Sequence, residues 1–204
     1  MKKEFIKSTV AIMAVMLLLV NLTACGSGGN TSDLDISSVE IKRDGTVIST
    51  IVDEFSESYY DPKELQEMIE NEVNSFIVTK GEGAAEFKSI DVNDGKVKVV
   101  IKFSNAENYK DFNNEMLEYE TVTDAVLAGQ IDVNTLVDKD GNAIDSEKAS
   151  LLSNQHIIIT RSNGAIAAPY KIKYFSGKVK ARDKYVADFS ENVDGEIACV
   201  VLDK

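Results

Sequence analysis

Tryptophan is absent from this chain of 204 residues, histidine occurs once and cysteine twice. Each scarcity removes a class of function. One histidine, His156, cannot build a multi-histidine metal centre, and no Gly-x-Ser-x-Gly elbow offers a serine for it to activate. His156 opens the short apolar run His156-Ile157-Ile158-Ile159-Thr160 and reads as a strand-end residue. Without tryptophan the usual aromatic platform of a carbohydrate site is missing. Tyr59-Tyr60, with Tyr170 and Tyr174, are the substitutes, and Tyr59-Tyr60 just before a helix start read more simply as a packing anchor. Two cysteines allow one disulfide at most. Cys25 stands between an apolar leader and a glycine run, where no pairing geometry is set. Cys199, in Glu196-Ile197-Ala198-Cys199-Val200-Val201-Leu202, reads as a small buried hydrophobe.

Positive charge is scarce as well. Of 22 Lys and Arg and 34 Asp and Glu, three lysines and one glutamate lie in residues 1–24. The remaining 180 residues therefore carry 19 basic and 33 acidic side chains, a net charge of −14. Such a surface repels phosphate, so nucleic acid and anionic headgroups are poor partners. The series Lys171, Lys173, Lys178, Lys180, Arg182, Lys184 alternates with apolar residues and reads as the wet face of strands. After residue 20 no apolar run is long enough to cross a bilayer.

What is present is concentrated at the start. Lys2, Lys3 and Lys7 make a positive segment, residues 10–20 form an apolar block of 11, and Leu22-Thr23-Ala24-Cys25 closes the stretch. The block is shorter than the roughly 20 residues of a permanent membrane helix. This order resembles the signal and lipobox of bacterial lipoproteins. The resemblance implies that the Cys25 thiol takes a diacylglyceryl group, that cleavage falls between Ala24 and Cys25, and that Cys25 becomes residue one. The residue types suit the chemistry: a thiolate is nucleophilic enough near neutral pH to take the lipid, and Thr23 and Ala24 are small enough for a peptidase cleft. Gly26-Ser27-Gly28-Gly29-Asn30-Thr31-Ser32 reads as a flexible tether. The expected organisation is residues 1–24 as signal peptide, 25–35 as lipidated cysteine and tether, and 36–204 as an acidic extracytoplasmic domain. A subdomain boundary would fall near 130–155.

Within the domain, Asp44-Gly45, Asn93-Asp94-Gly95, Asp140-Gly141, Ser176-Gly177 and Asp194-Gly195 supply the positive φ of tight turns. They predict hairpins of 36–43 with 46–53, 85–92 with 96–103, and 169–175 with 178–188, and a last strand near 196–202. Asn163-Gly164 would turn 156–161 onto 165–175. Asp61-Pro62-Lys63-Glu64 is a helix start, and Leu65, Met68, Ile69, Val73, Phe76 and Ile77 follow at helical spacing. A second helix is expected from Ser104 with Tyr109, Phe112, Met116 and Leu117 on one face. A third starts at Thr121 or Thr123 and stops at Gly129, and a fourth covers 146–152. Helices gathered in mid-chain between hairpins predict an α+β fold of antiparallel, hairpin-rich sheets with two to four helices.

No other pattern carries chemistry. Asp138-Lys139-Asp140-Gly141-Asn142 fails the calcium-loop spacing, which wants glycine sixth and a bidentate acid twelfth. Gly81-Glu82-Gly83-Ala84-Ala85 follows a helix and precedes a strand, the reverse of a phosphate loop, so no cofactor and no metal are expected. Paired carboxylates of a hydrolase would be two acids on one cleft, one raised by burial. The segments 53–70, 108–129 and 169–180 resemble those of small lipoproteins of Gram-positive anaerobes, a group that brings no activity with it. The expected protein is thus lipid-anchored at the extracytoplasmic face of the cell membrane. It is read as a non-enzymatic binding domain for an envelope protein or small-molecule ligand. The alternatives are a polymer hydrolase and, last because the chain is short, a solute-binding lipoprotein.

Overall fold

The computed structural model describes residues 28–193 and 195–204. The leader, with Ala24 and Cys25, lies outside them, as does Asp194. The described residues form four α-helices and twelve strands in two mostly antiparallel sheets, the α+β class expected.

The first sheet begins with β1 (Ser38–Ile41) and β2 (Val47–Glu54), joined through Lys42–Thr46, where Gly45 has φ +87°. Then β3 (Ala85–Asn93) and β4 (Lys96–Phe103) close on Asp94 and Gly95, at φ +51° and +76°. Two consecutive positive φ values define the turn whose twist matches the strands, which is why Asp-Gly stands there. In β4, Val97, Val99, Ile101 and Phe103 are buried and the residues between them are not, so one face of this half is wet. The second sheet contains β5 (Leu117–Thr121), β6 (Leu136–Val137), β7 (His156–Thr160), β9 (Ile172–Ser176) and β12 (Ala198–Leu202). The first is completed by β8 (Ala165–Ala167), β10 (Lys180–Ala181) and β11 (Val186–Asp188).

Three local expectations fail, for one reason. The run 156–161 does not fold back on 165–175, because β7 lies in the second sheet and β8 in the first. The run 169–175 does not pair with 178–188, because β9 bonds β12 and β6 while β10 and β11 bond each other and β8. Residues 116–117 do not extend the second helix: Asn114 at φ +51° ends it, and Leu117 starts β5 against β7. In each case the chain crosses between sheets or reverses to reach a distant partner. The parallel pairing of β1 with β8 is the extreme case.

The sheets pack face to face over one interior. Val39, Ile41, Phe103 and Ile166 from one side meet Leu117, Ile158, Phe175 and Val200 from the other. On β7 and β12 the opposite faces are buried too, with Ile157, Ile159, Cys199 and Val201 under Val122, Ala125, Leu136 and Leu152. The 130–155 segment therefore adds the edge strand β6 to the second sheet and packs much of the rest over it, sharing the core cluster there. Helix α1 (Pro62–Lys80) and α2 (Ala106–Asn113) cover part of the inner face of β2, β4 and β3; α3 (Val122–Leu127) and α4 (Ser146–Ser150) sit in the outer layer. Asp61 caps α1, accepting from Lys63 N at 2.8 Å and Glu64 N at 3.4 Å. Of the face expected to seek the core, Ile69 and Val73 are buried, whereas Met68 is 59% exposed.

Residues 28–35 of the expected tether are docked on the fold. Gly29 N donates to Ala168 O at 3.1 Å, Thr31 is buried, and Leu34 and Ile36 cover Ala165, Ala167 and Val186. The glycine composition that reads as flexibility serves close approach. A Cβ on Gly29 would lie 2.9 Å from Tyr185 O and 3.0 Å from the Ala167 Cβ. Gly164 is tighter still, its Cβ position lying 2.5 Å from Ser37 O.

Two substitutions separate these contacts. Gly164→Ala must shift β1 against β8 and is expected to lower global stability by about 1–3 kcal/mol in denaturant titration. Gly29→Val should displace only the strap, opening residues 30–35 to limited proteolysis while the denaturant midpoint falls less than in Gly164→Ala.

Candidate functional site

The inner face of the first sheet is longer than its cover. Toward the start of β4, α1 and α2 leave a groove of about 440 Å³. Its floor is Ile51, Val97, Val99 and Ile101; its walls are Leu65, Ile69 and Glu72 of α1 with Phe112 and Asn113 of α2; its mouth is Asp53, Glu54, Phe55 and Tyr60. Each wall is fixed. Phe112 is held edge-to-face by Phe76 at 5.3 Å and tilted against Phe103 at 5.3 Å. Phe55 is pinned by its N–H to Gly95 O at 2.6 Å, and Tyr60 stacks on it at 4.9 Å. Tyr59, 75% exposed, meets Tyr60 edge-on at 4.9 Å. Tyr59-Tyr60 are thus an exposed aromatic rim, not a buried packing anchor.

The groove's charge has one sign. No lysine or arginine is among its lining residues. Glu54 stands opposite Lys96 across the β2–β4 pairing and shares its face, whereas Asp53 stands opposite Val97, a floor residue. Asp53 on the sheet and Glu72 on α1 are therefore the carboxylates of the groove itself. The Tyr60 hydroxyl feels the same field: its pKa is raised by Tyr59 and then, after burial, by Glu57 and Asp53.

Other sequence candidates are placed elsewhere. Cys199 is a free thiol at 2% exposure, with its pKa pushed up to about 11 by burial, and it packs as expected. Asp138 accepts from Asp140 N and Asn142 N, both at 2.9 Å, and from the Asn142 side-chain amide. Those bonds hold its carboxyl below the usual range, and they tie the loop to itself as a surface turn. Tyr170 lies between Arg43 and Lys204, at 5.2 and 4.9 Å from its ring centre, while Tyr174 belongs to the outer core of the second sheet. They do not form one platform. Glu120 is a carboxyl raised by burial, then by Glu118 and Asp124, but it stands on β5 and does not line the groove. Among the described residues no three His, Cys, Asp or Glu side chains converge as a metal site, and no helix is long and apolar enough to cross a membrane.

His156 does sit at a strand end. Its ring is 5.2 Å from that of Tyr119, its Nδ1 finds no partner among the described residues, and its Nε2 is 3.4 Å from Lys204 Nζ. Burial pushes the Tyr119 hydroxyl up to about 12 and, with Lys204, pulls the imidazole below its ordinary 6.5.

A scan against protein-family models, a search of curated proteins and a search of solved structures each find no match to this chain. The groove was not visible in the sequence. The only signal was the adjacency of Asp53, Phe55, Tyr59 and Tyr60 just before a capped helix.

The lowered imidazole sets the sign of a pH effect. The folded chain resists protonating His156 and the unfolded chain does not, so the neutral ring's contribution is complete above 6.5 and is lost as pH falls toward the folded value. The stability difference between wild type and His156→Gln is expected to shrink or reverse in denaturant melts from pH 7.5 down to 5.5. A difference constant with pH would contradict it.

Proposed function

We propose that this chain is a bacterial lipoprotein anchored through Cys25 and that its folded domain is a non-enzymatic binding module at the extracytoplasmic face of the membrane. The sequence order of basic segment, apolar block and Leu22-Thr23-Ala24-Cys25 carries the first half. The groove between α1 and the first sheet, apolar within and acidic at its mouth, supports the second. A hydrolase would put a burial-raised acid opposite a second acid on one cleft, and the acid raised by burial, Glu120, is not among the groove residues.

The docked strap alters the consequence of the anchor. A free tether from residue 25 to 35 would let the domain roam within about 35 Å of the bilayer. With Gly29 bonded to Ala168, four chain steps separate a lipidated Cys25 from the fold, about 14 Å at full extension. An anchored domain would stand close to the membrane with one end toward it.

Metabolic labelling with an alkyne fatty acid tests the anchor. Wild type should take the label and sediment with membranes, and Cys25→Ala should do neither. A Cys25→Ala protein that still takes the label sinks the anchor. A turnover activity abolished by a single change at Asp53 or Glu72 would replace the binding module with an enzyme.

A further inference from the structure

The groove's chemistry selects one kind of occupant. Its floor and walls are aliphatic and aromatic, so they reward an apolar body. At one end stand Phe55 and Tyr60, their ring centres 4.9 Å apart, with Tyr59 edge-on to Tyr60 at 4.9 Å just outside the groove. Asp53 flanks them from β2, and Glu72 closes the wall from α1. Neither carboxylate joins an ion pair among the described residues, although eleven such pairs form elsewhere in the domain. Aromatic faces beside unpaired carboxylates attract an organic cation: the ring quadrupoles and the formal charges act in the same direction. An anionic amphiphile meets the opposite field, and a neutral one gains only the apolar contact.

We infer that the groove binds an organic cation with an apolar body, its ammonium seated between Asp53 and the Phe55–Tyr60 corner and its chain laid on Ile51, Val97 and Val99. The site names the ligand class for the binding module proposed above and rests on that reading. It does not require the lipid on Cys25. The aromatic rim favours a quaternary ammonium over a primary amine, because a weakly hydrated cation loses less on leaving water for a ring face. The bond to the head is electrostatic and partly exposed, so salt weakens it.

The test uses the full-length protein, held in nanodiscs of zwitterionic lipid if it sediments with membranes and free in buffer if it does not. Hexyltrimethylammonium, hexanol and hexanoate are titrated by calorimetry, with empty nanodiscs as the blank. The cation should bind about tenfold tighter than the alcohol, and the carboxylate more weakly than either. Raising salt from about 0.05 to about 0.5 M should remove most of that preference. The double variant Asp53→Asn/Glu72→Gln should bind cation and alcohol alike. Tyr60→Leu, which keeps the apolar contact, should lose most of the cation preference with its thermal midpoint little changed. These two variants touch exposed side chains, so a loss of fold in one leaves the other to decide.

Equal binding of the three probes, or tighter binding of hexanoate, overturns the cation site. Cation binding that both variants leave intact places it elsewhere on the protein and overturns it as well. Binding of none of the probes, with self-association that Tyr60→Leu abolishes, would give the groove to a second copy of the chain. Lipid labelling of the same preparation separates the two readings. Labelled protein without cation preference defeats this site alone, and unlabelled protein with the preference defeats only the anchor.

Discussion

Burial of β7 and β12 on both faces is the constraint from which the rest of the architecture follows. Ile157, Ile158 and Ile159 are each fully buried, as are Val200, Val201 and Leu202. A strand of this kind needs apolar cover above and below, since a bare face would leave several large side chains in water. The first sheet supplies one cover, and α3 with the turn after α4 supplies most of the other. That explains why a stretch as weakly patterned as 122–152 is ordered at all. Four of its five buried side chains, Val122, Ala125, Leu136 and Leu152, pack into one cluster.

The first sheet has a different economy. In its β2–β4–β3 half the central strand β4 alternates, so the inner face is the one that needs cover, and α1 and α2 provide it incompletely. The aromatic cluster of Phe76, Phe103, Tyr109 and Phe112 locks α2 near the Phe103 end of the sheet. Toward the start of β4 the helices part from the strands, and Ile51 is left 39% exposed. The groove is thus the remainder of a packing problem solved at one end of the sheet. An apolar floor with an open mouth suits a binding site, and carboxylates at the rim keep that apolar remainder hydrated.

Local chemistry was legible in the sequence where a few consecutive residues decide the outcome. Asp94-Gly95 can hardly do other than turn, and Asp61-Pro62 starts a helix whatever lies beyond it. The failures share the opposite character. Asn163-Gly164 and Ser176-Gly177 mark real changes of direction, yet whether the next strand returns to its neighbour or crosses to another sheet is set by partners far along the chain. Ser38 opposite Ala165 is one such pairing. Met116-Leu117 fit a helical face until the left-handed Asn114 ends the helix before them. The groove belongs to the same class, since β2, β4, α1 and α2 meet there from separate parts of the chain.

The strap shows how composition misleads and what the error changes. Gly28-Gly29 reads as freedom, but glycine also permits backbones to approach closely, and at Gly29 that is its use. The strap enters beside Ala168, at the end of β8 where Ala167 aligns with Glu40 and, through it, with Ile48. Asp53 at the groove mouth lies five residues further along β2, roughly 17 Å at a strand's rise. The strap's point of entry and the groove mouth therefore lie at opposite ends of the same sheet. The strap that shortens the reach of the domain would also turn its mouth away from the bilayer. A ligand would then reach it from the aqueous side, and a soluble cation fits that approach better than a lipid drawn from the membrane.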